Sequence, residues 1–458
     1  MIDVLVVGGG PVGLATAISC ARAGLSVVVA EPRGAPIDKA CGEGVMPAAV
    51  RRLATLGVTP DGYPLRGIRY VDAAHQADAR FRHGDGLGVR RTVLHAALAV
   101  RAAALGIQVL PVKVSTFTQD AGHVTAAGVE ARYLVAADGL HSTIRRALER
   151  DATAAGNGTH PPRPGPRTAA PPRYGLRQHY RIAPWTDLVE VHWTPDAEAY
   201  VTPVSADVVG VALLFAKRNR DVSPQQAAHR DMPPQALPRD MPPPALPDGV
   251  PPEALPGGVL PQAVPHDMPP TALPRDVRPQ AAAQHSDPAE TAATPGRAHD
   301  IAVPQHADPG FFGTRENGGE DDVDFKLRLA AFPALLDRLT GAAPASELRG
   351  AGPMRQDVRR RVHGRVLLVG DASGYVDALT GEGLGVGLAQ ADALAACLAA
   401  DRPADYERAW RRASAPAWRF TAGLLWSRNQ PLLGPRLVPL AQRFPWIFTT
   451  LVNHIAEA

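Results

Sequence analysis

The first residues of the chain, Ile2 to Val7, form a run that is apolar except for Asp3 and stops at three glycines. After them VGLATAISCARAG spaces its apolar positions as one face of a helix, and LSVVVAEP is a second apolar run of strand length. Apolar runs this short, bounded by glycine, read as strands buried on both faces, and the strand–helix–strand succession predicts a parallel sheet. TVLHAALAVRAAALG predicts another amphipathic helix, while ARYLVAADG and RVLLVGDASG each predict a strand entering a turn. Between Leu188 and Phe215 the pattern changes to short β-branched runs, LVEVHW, AYVTPV and VVGVALLF, separated by Pro/Asp and Ala/Asp turns. That pattern predicts an antiparallel sheet. Helical spacing returns in FKLRLAAFPALLDRLTG, Phe325 to Gly341, and the residues after Ala400 are helical text punctuated by Trp and Pro.

One stretch has neither period. Of 46 prolines, 21 fall within the 86 residues from Pro224 to Pro309, where a nine-residue phrase recurs as RDMPPPALP (Arg239 to Pro247) and HDMPPTALP (His266 to Pro274). Ordering a residue costs about 1–2 kcal/mol, and one Met or Val, one Leu and one Ala per copy bury too little to offset it. A disordered, polyproline-biased insert over 218–322 is the expectation. The neighbouring Asp321, Asp322 and Asp324 are expected in a solvated loop and not at a metal.

The chain has 458 residues, 45% hydrophobic and 20% charged, enough for about three domains. Lys and Arg number 48 against 45 Asp and Glu, a net charge of +3 with the signs interspersed. No basic stripe exists for a phosphate backbone, so nucleic acid is not an expected partner. Cys20, Cys41 and Cys397 are too few and too scattered for a disulfide framework or a thiolate metal site, and a reducing cytoplasm is the expected setting. The apolar start has no charged leader and reads as a buried strand, not a secretory signal. No run of 18 apolar residues offers a membrane span.

Chemistry enters at the strand ends. Gly8, Gly10 and Gly13 form a GxGxxG between strand and helix, and Glu31 closes the second strand 18 residues after Gly13. Gly8 suits the tight turn, Gly10 a close approach of pyrophosphate to backbone, and Gly13 close helix packing; Glu31 suits the two ribose hydroxyls of an adenosine. An acid there favours an unphosphorylated ribose, hence FAD or NAD. The second motif, VLLVGDASGYVDALTGEGLGVG from Val366 to Gly387, decides between them. Asp371 after Gly370 suits a ribityl hydroxyl, which NAD lacks, and the amides around Gly381, Gly383 and Gly385 with the helix dipole suit the negative charge of a reduced flavin.

With these motifs the chain resembles the single-Rossmann flavoproteins that include p-hydroxybenzoate hydroxylase-like aromatic monooxygenases and geranylgeranyl reductases. Its GxGxxG with terminal acid, Asp138-Gly139 in AADGLHS, and Gly370-Asp371 follow that family's order. The resemblance implies that Arg91 contacts FAD, and that Asp138 and Gly139 serve the flavin pyrophosphate and a passing NAD(P)H. It also implies an α/β fold with a Rossmann-type FAD-binding domain, an inserted antiparallel-sheet substrate domain and a C-terminal helical cap. The expected boundaries are 1–65, 88–160 and 350–400 for the first, 66–87, 172–217 and 323–349 for the second, and 401–458 for the cap. Where aromatic hydroxylases carry His and then Pro after GDA, this chain has Gly374 and Leu379, and GDASGYVDALTGEG looks more like the reductases. Lys39-Ala40-Cys41-Gly42-Glu43-Gly44 likewise resembles the reductases' Cys-Gly-rich loop, which makes Cys41 a candidate near the flavin. There is no second GxGxxG, and Trp185 and Trp193, eight apart, make no WxWxIP element, which sets aside disulfide reductase-like and tryptophan halogenase readings.

The expected activity is that of an NAD(P)H-dependent FAD monooxygenase, hydroxylating a lipophilic aromatic or polyketide-type substrate with dioxygen through a flavin C4a-hydroperoxide. The alternatives are a reductase of isoprenoid double bonds and a non-catalytic flavin-binding scaffold. His179, His192 and Tyr200 on the expected substrate sheet are candidates to position a phenol. The C-terminal PLLGPRLVPLAQRFPWIFTTLVNHI is apolar enough to pack as a cap, to roof a substrate tunnel, or to make peripheral membrane contact.

Overall fold

The structure, a computed structural model, describes residues 1–154, 171–216 and 318–457. The proline-rich repeats lie outside these residues. At their far border the chain is helical from Gly318, inside the segment expected for the insert. The expected solvated acidic loop is therefore a correction: Asp322 and Asp324 sit on the helix Gly318–Leu329 and pair with Lys326 and Arg328 at i,i+4 spacing. The helix expected from Phe325 to Gly341 is two, Gly318–Leu329 and Pro333–Leu339, because the residue before a proline is pushed out of helical geometry. Among the described residues no group of His, Cys, Asp and Glu is placed to hold a metal.

Two sheets organise the fold. In the first, strand Ile2–Val7 lies between Val27–Ala30 and Val129–Ala136 in parallel register, Val7 facing both Ala30 and Ala136. Gln108–Leu110 and Val366–Leu368 extend it in parallel on either side. Central strands of a parallel sheet are covered on both faces, which is why IDVLVV is apolar except for Asp3 near its start, which pairs with Arg132. Leu14, Ile18, Leu94, Leu98, Leu388 and Leu394 from helices Pro11–Arg22, Arg91–Ala104 and Gly383–Ala399 cover one face. Ile144 and Leu148 of Thr143–Ala154 cover the other. Because the strands end level, Gly8, Glu31, Asp138 and Gly370 all emerge at one edge, where open α/β sheets bind ligands.

The second sheet runs Ala343–Pro344, Arg173–Arg181, Val208–Ala216, Ala197–Pro203, Val189–Trp193, Gly67–Val71 and Gln76–Arg80. It is antiparallel except that Val189–Trp193 pairs in parallel with Gly67–Val71. A parallel pair needs a long crossover, and here the intervening chain supplies one by passing through the first sheet. Ala199, Val201, Val211, Leu213 and Phe215 pack beneath Phe325, Leu329, Phe332 and Leu335. The opposite face carries Arg177, His179, Glu198, Tyr200 and Thr202. The C-terminal stretch folds as helices Tyr406–Asn429, Leu437–Arg443 and Pro445–Ala456, with Ala441, Phe448 and Val452 packed against Ile68 and Ala77 of the second sheet. Among the described residues no helix is long and apolar enough to cross a membrane.

Candidate functional site: a dinucleotide crevice between two glycine motifs

The first motif turns sharply because only glycine fits. Gly8 has φ +104°, and a Cβ there would lie 2.6 Å from the Ala137 carbonyl oxygen; one on Gly13 would lie 1.9 Å from the Gly8 oxygen. At Gly10, by contrast, a Cβ would meet nothing within 4 Å. Gly10 is the N-cap of Pro11–Arg22 and makes no side-chain cap, so the first-turn amides are left for a ligand. Beneath the loop, buried His95 meets the Gly9 carbonyl oxygen through Nε2 at 3.0 Å. Burial holds its pKa below the ordinary histidine value, so Nε2–H donates. The sequence reading did not single out His95; its place one turn after Arg91 on the same helix was the available signal.

Glu31 is buried at the end of its strand. Burial pushes its carboxyl up, but the Arg33 side chain and the amides of Arg33 and Gly9 outweigh that and leave the pKa below its ordinary value. Arg33 Nε donates to Oε1 at 2.8 Å, Arg33 Nη2 to Oε2 at 2.9 Å, and the Gly9 amide to Oε2 at 2.8 Å. The expectation that Glu31 is free for ribose hydroxyls is thereby modified: a ribose has to share the carboxylate with Arg33, whose side chain is 47% exposed and able to swing aside.

Asp138 divides its two oxygens. Oδ2 accepts from the Thr143 amide at 2.7 Å and caps the helix Thr143–Ala154, whereas Oδ1 is buried without a partner. Gly139 follows at φ +81°. Arg91 gives its backbone amide to Glu43 Oε1 at 2.9 Å, while its Nε is buried without a partner. Asp371, in the turn Gly370–Ser373, pairs with Lys39 Nζ at 3.3 Å, and a Cβ on Gly139 would lie 3.8 Å from the same nitrogen. Lys39 thus joins the DG and GD turns. The two glycine motifs also touch through Val12: a Cβ on Gly370 would lie 3.0 Å from its Cγ1, and one on Gly387 2.5 Å from its Cγ2.

The loop carrying Lys39 and Cys41 is fastened to the second sheet. Arg177 Nη2 donates to Asp38 Oδ1 at 2.5 Å, His179 Nε2 meets Glu43 Oε2 at 2.5 Å, and Thr202 donates to the Gly42 carbonyl oxygen at 2.8 Å. His179 Nδ1 faces Ser346 Oγ at 2.8 Å and Arg177 Nη1 at 3.0 Å, and with donors on that side Nε2 carries the proton toward Glu43. Cys41 is partly exposed and accepts from the Glu43 amide at 3.4 Å. The phenol-positioning candidates are corrected. His179 is consumed by this network, Tyr200 donates to the Leu379 carbonyl oxygen at 2.8 Å, and His192 lies on the opposite side of the sheet with Glu190 and Trp185.

Gly381 (φ +69°), Glu382, Gly383 and Gly385 form the turn into helix Gly383–Ala399. Gly381, Glu382 and Gly385 line a small pocket with Gly44, Val45, Met46, Ala49 and Ile455. Buried Glu382, absent from the sequence reading as a site residue, accepts from Thr380 Oγ1 at 3.2 Å through Oε2 and leaves Oε1 without a partner. Burial pushes its pKa up to about 7. The open cradle at Gly10 and the reserved Arg91 Nε and Asp138 Oδ1 fit a dinucleotide. Arg91 would hold phosphate charge, and the glycine-turn amides the flavin.

Residues 1–160 match the family of the FAD binding domain. A menaquinone reductase of Mycolicibacterium smegmatis is 54% identical over 56 residues, 12% of this chain and 14% of that protein. A digeranylgeranylglycerophospholipid reductase of Methanopyrus kandleri is 31% identical over 160 residues, 31% of this chain and 41% of that protein. The matched segments thus span less than half of these relatives' length. Among solved structures, a flavin-dependent halogenase has TM-score 0.60 at 16% identity, covering 92% of this chain and 62% of the other. An anhydrotetracycline hydroxylase from Streptomyces rimosus has TM-score 0.57 at 19% identity, covering 99% and 75%. At such identities the likeness is one of fold. Residues 1–160 thus form an FAD binding domain, within a chain that has the mixed α/β architecture of the FAD-dependent monooxygenase fold.

Proposed function

We propose that this FAD-dependent oxidoreductase is a reductase that saturates a carbon–carbon double bond of a lipophilic, isoprenoid-type substrate, with NAD(P)H as electron donor. Bound FAD supplies the hydride chemistry. The second carbon of the double bond needs a proton, and Glu382 is the observation that carries the reading. It is a buried carboxyl whose pKa burial raises to about 7, with one oxygen that has no partner, and it lines a small pocket. A general acid works best with a pKa near the operating pH. Thr380 holds Oε2, so the proton resides at Oε1. The names of the two curated relatives support the same chemistry. Phenol hydroxylation, the activity expected first from the sequence, calls for a free acceptor to hold the phenol proton. His179 and Tyr200 are already engaged.

The test is a product mass. Holoprotein reduced with dithionite under nitrogen is mixed with a polyprenyl quinone in detergent micelles, and the expected product gains two hydrogens. One arrives as hydride with both electrons and the other as a proton; because dithionite supplies only electrons, both are drawn from solvent and the product gains two deuterium atoms in D2O. Glu382→Gln should lower turnover at least tenfold and remove the pH-profile limb near 7. In a second run with NADH or NADPH under labelled dioxygen, incorporation of the label without hydrogenation would overturn the proposal in favour of hydroxylation.

A further inference from the structure

The C-terminal helices are apolar on two faces, and the core uses one. Val438, Ala441, Phe448, Val452 and Ile455 are buried. Leu440, Phe444, Ile447 and Leu451, spaced four, three and four residues apart, form a second stripe that stands exposed. The break at Phe444 does not scatter it, because Phe444 N donates to the Leu440 carbonyl oxygen at 2.9 Å and Phe448 N to the Phe444 oxygen at 3.2 Å, carrying the helical turn across. Trp446 (68% exposed), Trp426 (60%) and Leu432 (72%) add to the apolar surface. Of the fifteen large apolar side chains exposed among the described residues, eight fall between Trp426 and Leu451. A helix apolar all round is ordinarily buried, and an apolar concentration of this kind marks an interaction surface.

Charge selects the partner. From Arg408 to Ala456 the chain holds seven arginines and no Asp or Glu. Arg436 and Arg443 are exposed within the apolar stretch, and the Arg443 guanidinium lies 5.8 Å from the centre of the Phe444 ring. Exposed Trp, Leu and Phe interleaved with Arg on a helix that lies flat are the composition of an interfacial membrane helix, and the cations suit anionic headgroups. We infer that the helices Leu437–Arg443 and Pro445–Ala456 dock this protein onto the surface of a bilayer containing anionic lipid. Ile455, on the inner side of the same helix, lines the pocket beside Glu382. Docking therefore sets that pocket one helix away from the lipid.

The experiment is vesicle co-sedimentation of the full-length holoprotein, a readout independent of turnover. Binding is expected to vesicles of phosphatidylcholine with phosphatidylglycerol, weakening as salt rises, and little to phosphatidylcholine alone. Trp446→Asp with Ile447→Asp should reduce it to background. Arg436→Gln with Arg443→Gln should weaken it roughly 30-fold, about fivefold per arginine near an anionic surface. These side chains are exposed, so FAD content and melting temperature should match the wild type and exclude misfolding. No binding to the anionic vesicles, or equal binding to both kinds, would overturn the inference. So would a stable dimer in sedimentation equilibrium that Trp446→Asp dissociates, since the stripe would then be a protein interface.

Discussion

Glu382 offers a direct measurement on a single buried proton. Its carboxyl is moved from an ordinary value of 4.5 to about 7, and at 1.36 kcal/mol per pK unit ionising it in the folded protein costs about 3 kcal/mol more than in the unfolded chain. The group is 7% exposed, so solvent screening takes little from that figure. The sign follows from which state holds the proton. Below pH 4.5 both states are protonated and stability is unpenalised. Between 4.5 and 7 the unfolded chain has released its proton while the folded one keeps it, so stability falls as pH rises. Above 7 the penalty is constant. Glu382→Gln keeps the shape and cannot ionise. In urea denaturation from pH 4.5 to 8 at fixed FAD, the stability of wild type relative to variant should therefore drop by about 3 kcal/mol, with most of the change complete by pH 7. Other titrating groups cancel in the difference. Thr380→Val, which removes the hydroxyl that helps the ionised form, should push the end of the transition to higher pH. A difference that stays flat over the whole range would refute the argument and, with it, the proton source assigned to Glu382.

Gly10→Ala should leave the flavin-free protein's melting temperature almost unchanged, because its Cβ meets no protein atom within 4 Å, yet weaken FAD binding at least tenfold in a fluorescence titration; unchanged affinity would place the pyrophosphate elsewhere. His179→Ala strands the buried Glu43 carboxylate and should cost about 3–5 kcal/mol in urea. His179→Gln, which can still donate to Glu43, should recover part of it, and an Ala variant as stable as wild type would show that the loop is not fastened through this pair.

The strand–helix–strand unit and the three turns were legible because each depends on neighbours in sequence. An apolar run ending in glycine is a local signal, and Asp138 and Gly370 sit directly after such runs. What could not be read was the use to which side chains are put once distant segments meet. His179 resembles any histidine on a strand until Glu43, Ser346 and Arg177 arrive from three other parts of the chain. Glu382 lies in a glycine-rich phrase whose spacing announces a turn, but its raised pKa depends on burial that includes the pocket walls from Gly44 to Ala49 and from Ile455. Strand alternation in LVEVHW placed His192 on the sheet without fixing which face would meet the crevice. The second sheet's parallel pair was equally hidden, since Gly67–Val71 joins it from across the first domain.

The distribution of satisfied and unsatisfied polar atoms narrows where chemistry can occur. On the crevice side of the second sheet the charges are paired with one another, although Arg173 Nη1 and Arg177 Nε lack hydrogen-bond partners: Glu198 is fully buried between Arg173 and Arg428, and Arg173 reaches Asp377 at 3.3 Å. Arg177 and His179 are spent on the loop. Such a face is polar but offers a substrate little, because borrowing any member leaves another charge buried and unpaired, at a cost of about 3–5 kcal/mol. The atoms that can be approached without that cost include those already lacking a partner. Arg91 Nε and Asp138 Oδ1 belong to the dinucleotide turns, and Glu382 Oε1 to a residue that lines the small pocket. Two of them suit phosphate and hydroxyl groups of a cofactor. The third is an acid of raised pKa set in the glycine turn assigned to the flavin, and a proton held there is placed to serve a substrate that meets the cofactor.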